Sequence, residues 1–178
     1  MTVPILRELS APDLDVALPG LRDLLHACVA AGASISFIAP FRPEDAAAFW
    51  QDSVFPGVRT GTCLLFVAEM DGRIVGSVQF DMNTPPNQRH RGEVRKLLVH
   101  PDSRRNGIAK SLMNRLEVAA LTHHRTLITL DTRTGDAAEP LYASLDYQRV
   151  GTIPGFARDV AFGRMDATTL FYKHLTRE

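Results

Sequence analysis

Residues 94–116 read VRKLLVHPDSRRNGIAKSLMNRL, and the order of features in this stretch decides the fold. After Arg95 and Lys96 comes a short apolar run, Leu97, Leu98 and Val99, closed by Pro101. Proline cannot donate to a sheet ladder, so a strand over 92–100 ends there. Arg104, Arg105, Asn106 and Gly107 form a basic turn. Ile108, Leu112, Leu116 and Ala120 then recur at helical spacing, with Ala109 and Met113 beside them, which predicts a helix over 103–120.

Strand, basic turn and amphipathic helix in that order have a chemical use. The first turn of a helix carries backbone N–H groups with no partner inside the helix, and the dipole adds partial positive charge. Gly107 removes a side chain at the point of closest approach, Ala109 keeps the next one small, and Arg104, Arg105 and Lys110 supply full charges. Such a turn can cradle an anion, best a diphosphate. An ordinary strand–turn–helix with a solvated basic turn has the same pattern. The sequence holds no G-x-x-x-x-G-K-[ST] and no G-x-G-x-x-G, which sets aside the P-loop and the dinucleotide fingerprint.

Arg104-x-x-Gly107-x-Ala109, following a strand that ends Leu97-Leu98-Val99-x-Pro101, resembles the coenzyme A signature [QR]-x-x-G-x-[GA] of the GNAT superfamily of N-acetyltransferases. Gly32-Ala33-Ser34, Glu93-Val94, Leu130-Asp131-Thr132, Tyr142-Ala143-Ser144-Leu145, Arg149-Val150-Gly151 and Pro154-Gly155 resemble the tabtoxin-resistance branch of that superfamily. The resemblance implies acetyl-CoA as co-substrate, no metal, and transfer of the acetyl group to an amine. It also implies that Leu97, Leu98 and Val99 hold the pantetheine and thioester through backbone groups. Arg104, Arg105, Asn106, Gly107, Ile108, Ala109 and Lys110 would hold the pyrophosphate.

Composition narrows the partners. Lys plus Arg and Asp plus Glu each number 20, so the chain carries no net basic excess of the kind a nucleic-acid-binding protein shows. With 178 residues, 45% hydrophobic and 22% charged, the expectation is one soluble domain over 1–178. Cys28 and Cys63 form no C-x-x-C pair and read as buried, unpaired thiols. No apolar run reaches about 18 residues and no secretory leader is visible, so a cytoplasmic protein without a membrane span is expected. A small-molecule amine, such as an amino-acid-like antibiotic or toxin, is the expected partner, with a protein amine or a non-catalytic acetyl-CoA-binding role as the alternatives, and the family adds the expectation of a homodimer.

Strands are predicted over 3–9, 62–70, 73–80, 92–100, 126–131, 147–150 and 168–173. Asp71-Gly72 marks a tight hairpin. Ser10 and Asp13 open a first helix that contains Pro19 and ends near Gly32. Pro43-Glu44-Asp45 opens a second, to about Val54. Residues 137–144 form a short helix, and 83–91 and 153–166 read as loops. The sum is an α/β chain of the α+β type: a mixed, mostly antiparallel sheet of about seven strands with helices on both faces. Strand, helix and strand over 92–131 suit a parallel pair. The resemblance implies a GNAT-like fold in which this central pair splays apart around the pantetheine arm.

Acetyl transfer to an amine needs a polarised thioester, a neutral amine and a proton for the departing thiolate. Under strict alternation Glu93, Arg95, Leu97 and Val99 share one face unless a bulge intervenes. The resemblance puts Glu93 where many family members keep a carboxylate base; a salt bridge to Arg91 or Arg95 is its other reading. Asp131 ends the neighbouring strand and either converges on the acceptor or caps the following turn. Tyr142, after Leu141, matches the family's acid, with a packed core tyrosine as the other reading. Two departures stand out: Gly135 replaces a frequent Asn, with Asp136 beside it, and Asp146-Tyr147 replaces Gly-Phe. Residues 32–41 and 153–166 flank the expected amine pocket, where Ser34, Phe37, Phe156, Asp159 and Asp166 are the acceptor-binding candidates.

Overall fold

Chemically marked turns divide the chain into strands and helices. In the computed structural model, which describes residues 4–161 and 163–176, β1 (Ile5–Leu9) stops at Ser10. The Asp13 carboxylate accepts from the Ser10 backbone N–H at 2.8 Å and closes a capping box over a 3-10 turn at Ala11–Asp13. α1 (Leu14–Ala30) follows directly and runs on through Pro19. Val3, expected to begin the first strand, lies outside the described residues.

The second helix does not stop near Val54 as expected. α2 (Pro43–Phe49) passes through a π-helical turn at Trp50–Val54 into α3 (Phe55–Thr60). Pro56 stands in the first turn of α3, where a missing N–H costs nothing, so it restarts the helix instead of ending it. Gly61, at φ 72°, ends it.

β2 (Cys63–Met70), β3 (Arg73–Asp81), β4 (Arg91–Val99), α4 (Ile108–Thr122), β5 (Leu127–Arg133), α5 (Ala138–Ser144), β6 (Gln148–Arg158) and β7 (Met165–His174) complete the chain. The seven strands form one sheet in the order β1-β2-β3-β4-β5-β7-β6. β4 and β5 run parallel, and every other neighbouring pair is antiparallel. The expected mixed sheet is therefore present. Residues 153–166 are not the expected loop: most belong to the β6–β7 hairpin, with Pro154 and Gly155 inside a register jump between Ile153 and Ala157. β6 is an edge strand, where proline is tolerated.

One face of the sheet packs Leu9, Leu65, Val67 and Leu98 against α1, α2 and α3. Trp50 lies fully buried there and donates its indole N–H to the Leu21 carbonyl at 2.9 Å. The other face packs Phe66, Phe80, Val94, Ile128 and Leu130 against α4 and α5. Each such fully buried large side chain contributes about 1.5–3 kcal/mol. α4 starts at Ile108, five residues later than expected, because Arg105 and Gly107 both adopt left-handed backbone (φ 63° and 74°) that no α-helix accommodates. Gly76 on β3 lets α4 sit close: a β-carbon there would stand 2.8 Å from Ile108 Cγ2.

Candidate active site

β4 and β5 pair only over Arg91↔Leu127, Gly92↔Ile128 and Glu93↔Thr129. From Val94 onward the two strands separate, although each keeps its antiparallel neighbour on the other side. The β4 backbone over residues 94–99 therefore faces an opening with no strand across it. A cleft of about 870 Å³ follows this opening from the N-terminus of α4 to the α1–α2 loop. That is the size of a pocket for a sizeable small molecule.

A bulge breaks the alternation on β4. Ser77↔Leu98 and Gln79↔Arg95 leave one extra residue on β4, and Lys96 adopts φ 49°. Leu98 packs on the α1 face, while Leu97 and Val99 pack on the α4 face with Val94. The bulge therefore overturns the single-face arrangement of Glu93, Arg95, Leu97 and Val99.

At the mouth of the cleft stands the basic turn. Gly107 is the N-cap residue of α4 and offers no side-chain cap; the first N–H bonded back is that of Ser111, to the Gly107 carbonyl at 3.0 Å. The N–H groups of Ile108, Ala109 and Lys110 precede it and have no helical partner. Leu97, Leu98, Val99, Arg104, Arg105, Gly107, Ile108, Ala109 and Lys110 all line the cleft. Asn106 does not; its amide donates to the Ser103 carbonyl at 3.3 Å and fastens the turn. Three open amides, two arginines, one lysine and a residue without a side chain fit a diphosphate.

Glu93, Asp131 and Tyr142 line the same cleft from three different elements. Glu93 is held by the Arg95 guanidinium at 3.3 Å, and Arg95 also reaches Asp81 at 3.0 Å. Asp131 does not cap its own turn; it accepts from the Thr168 hydroxyl on β7 at 2.7 Å. Tyr142 is 4% exposed, with its ring between Tyr147 and Phe171 at centroid distances of 5.8 and 5.7 Å. Burial, followed by the charges of Asp131 and Asp136, pushes its phenol far up, so the resting group is protonated and holds a proton at the cleft.

The departures around α5 have a physical reading. Asp146 adopts φ 62°, the conformation glycine takes most readily and aspartate tolerates, so the turn survives. Asp136 is ion-paired with Arg133 at 3.3 Å and lines the cleft. On the acceptor side, Ser34, Phe156 and Asp166 line the cleft, whereas Phe37 and Asp159 do not. Phe37 stacks against Phe41 and Phe49 at 4.6 and 5.1 Å. Asp159 is buried and pairs with Arg133 at 3.7 Å.

Two cleft residues escaped the sequence reading. Arg133 ties Asp136, Asp159 and Asp166 together and donates to the Gly32 carbonyl at 3.5 Å, joining the α1–α2 loop to the β6–β7 hairpin. Lys96 enters the cleft at the bulge, with its ammonium donating to the Ser36 hydroxyl at 3.1 Å. A positively charged residue inside an apolar strand signals this site; the bulge that aims it has no sequence signature. Cys28 and Cys63 are both buried and unpaired, and burial pushes the Cys63 thiol up to about 12, so it is inert. Among the described residues, no helix is long and apolar enough to cross a membrane.

Similar proteins share this architecture. An acetyltransferase of Pectobacterium atrosepticum is 40% identical over 91 residues, covering 51% of this chain and 61% of its own length. One from Yersinia pseudotuberculosis is 37% identical over the same shares. The N-acetylaspartate synthetase of Danio rerio is 35% identical over 105 residues, covering 56% of this chain and 36% of its own length. The chain thus spans about three fifths, or less, of the curated relatives it matches. Among solved structures, the ribosomal-protein-alanine N-acetyltransferase of Brucella melitensis has a TM-score of 0.76 at 22% identity, covering 96% of this chain and 99% of its own. A Salmonella typhimurium structure holding its cofactor acetyl-CoA has a TM-score of 0.75 at 19% identity, covering 99% of this chain and 96% of its own. The sequence pattern of the acetyltransferase (GNAT) family matches residues 28–147, more than half of the chain, and the protein belongs to that family.

Proposed function

We propose that the protein is an acetyl-CoA-dependent N-acetyltransferase that acts on a small-molecule amine by direct attack in a ternary complex. The observation that carries this reading is the separation of β4 from β5 beyond the Glu93↔Thr129 pair, with the open amides of α4 at one end and two carboxylates at the other. Acetyl-CoA, when bound, supplies the thioester. The turn at Arg104–Gly107 and the first turn of α4 hold the diphosphate. The β4 backbone beyond Glu93 offers its free edge to the pantetheine arm and the thioester carbonyl. Glu93, steadied by Arg95, takes the proton of the ammonium, directly or through water, and Asp131 stabilises the positive charge before that loss. The amine nitrogen bonds to the acetyl carbon, the carbon–sulfur bond breaks, Tyr142 gives its proton to the departing sulfur, and the second proton shed by the nitrogen returns to the Tyr142 oxygen.

The motifs shared with the tabtoxin-resistance branch support a small acceptor, and one relative carries an acetylated amino acid in its name. The test is thiol release from acetyl-CoA by the purified protein against a panel of free amino acids, simple amines and short peptides. Release with small amines supports the reading. Release with peptides alone makes the acceptor a protein amine, and none with any acceptor makes the chain a binding protein.

A further inference from the structure

Lys96 is a cation in the cleft with no ion pair among the described residues; the charge of Asp131 acts on it only from beyond ion-pair distance. Three of the four carboxylates lining the cleft are paired with arginines, Glu93 with Arg95, Asp136 with Arg133, and Asp166 with Arg133 and Arg164, while Asp131 accepts from the Thr168 hydroxyl. The Lys96 ammonium has one hydroxyl, Ser36 at 3.1 Å, and the faces of Phe37 and Phe49 at 5.4 and 5.6 Å. The bulge holds it there at the cost of left-handed backbone on a non-glycine residue. Two ring faces offset only part of the cost of drawing an ammonium out of water.

Resting on the acetyl-transfer reading, we propose that Lys96 binds a carboxylate of the acceptor, so that the substrate is an amino acid held by both ends. Its ammonium faces Glu93 and Asp131, and its carboxylate faces Lys96 and the Ser36 hydroxyl. Glu93 and Lys96 lie three residues apart on one strand, a span of about 10 Å between backbones that the two side chains and a small zwitterion bridge. One ammonium and one hydroxyl against two rings match a single negative charge better than a doubly charged phosphate.

The experiment compares each free L-amino acid with the amine that lacks only its carboxylate, reading kcat/KM by thiol release at saturating acetyl-CoA. The wild type should prefer the amino acid by about tenfold or more, as a charge-assisted contact provides. Lys96→Met should bring that ratio toward one, and Lys96→Arg should keep most of it. A wild-type ratio near one, or a ratio that Lys96→Met leaves intact, overturns the proposal while leaving acetyl transfer standing. The melting temperature of the coenzyme A-loaded protein gives a readout without turnover. A rise with amino acids that is absent with their decarboxylated counterparts and absent in Lys96→Met upholds the carboxylate site even where acetyl transfer itself fails. No rise and no turnover overturn both.

Discussion

Arg95 turns back along its own strand and holds Glu93 at 3.3 Å, just where β4 makes its last pair with β5. The pair orients the carboxylate toward the opening between the strands. Glu93→Gln keeps the shape and removes the proton acceptor, so turnover should fall by about 10²- to 10⁴-fold. Acetyl-CoA affinity, set by the turn before α4, should stay within about twofold. Tyr142→Phe should lower turnover in the same range. Steady-state kinetics beside calorimetry check both, and unchanged turnover in both variants would remove these residues from the chemistry.

Gly76 and Ile108 set how deeply α4 seats on the sheet. A β-carbon at Gly76 would stand 2.8 Å from Ile108 Cγ2, 3.1 Å from Leu112 Cδ1 and 3.2 Å from the Leu98 carbonyl. Gly76→Val should destabilise the fold by about 1–3 kcal/mol, the usual cost of overpacking. It should also weaken acetyl-CoA binding, because the helix that carries the cradle moves outward. Denaturant unfolding and calorimetry measure the two effects separately.

Much of this architecture is legible in the sequence, and the parts that are not have physical reasons. Pro101, the basic turn and the spacing of Ile108, Leu112 and Leu116 announce β4 and α4, while Asp71-Gly72 announces the β2–β3 hairpin. Local chemistry decides those features. Lys96 is different: a lysine in left-handed backbone is imposed by the register of β3 against β4, which no local pattern reports. Pro154 and Gly155 suggest a loop, yet an edge strand absorbs them in a bulge. The second helix, expected to end at about Val54, runs on because the missing donor of Pro56 is harmless at the start of α3. Among the site residues, Glu93, Asp131 and Tyr142 converge on one cleft, whereas Phe37 and Asp159 do not line it: Phe37 packs with other rings and Asp159 pairs with Arg133.

Arg133 is the fastening point of the acceptor side. It reaches Asp136, Asp159 and Asp166 and the Gly32 carbonyl, and Asp159 is 6% exposed. Arg133→Met would leave buried carboxylate charge short of a partner, so stability should fall by about 2–4 kcal/mol. The melting temperature should drop accordingly, with the acceptor KM rising more than that for acetyl-CoA. A melting temperature matching the wild type would show that the network contributes little.

Burial, then the charge of Arg95, brings the Lys96 ammonium down to about 8, while Asp131 pulls the other way. Its neighbours from α2 and the preceding loop, Phe49, Ser36 and Phe37, carry no charge. An anion needs the protonated form. Affinity for an N-acetylated amino acid, which has a carboxylate and no titrating amine, should be full below about pH 8 and fall about tenfold per unit above it. Lys96→Arg should carry the falling limb to higher pH. Calorimetry of the product across neutral and alkaline pH checks this, and a flat profile would contradict it.

If the splayed strands and the turn before α4 hold acetyl-CoA, charge reversal in that turn should abolish binding. Calorimetric titration of acetyl-CoA into the wild type and into Arg105→Glu, Gly107→Glu tests it most directly. Saturable one-to-one binding to the wild type is expected, with at least about a hundredfold loss in the double variant, whose new carboxylates meet the diphosphate at the open amides. No binding to the wild type, or equal binding to both proteins, would contradict it.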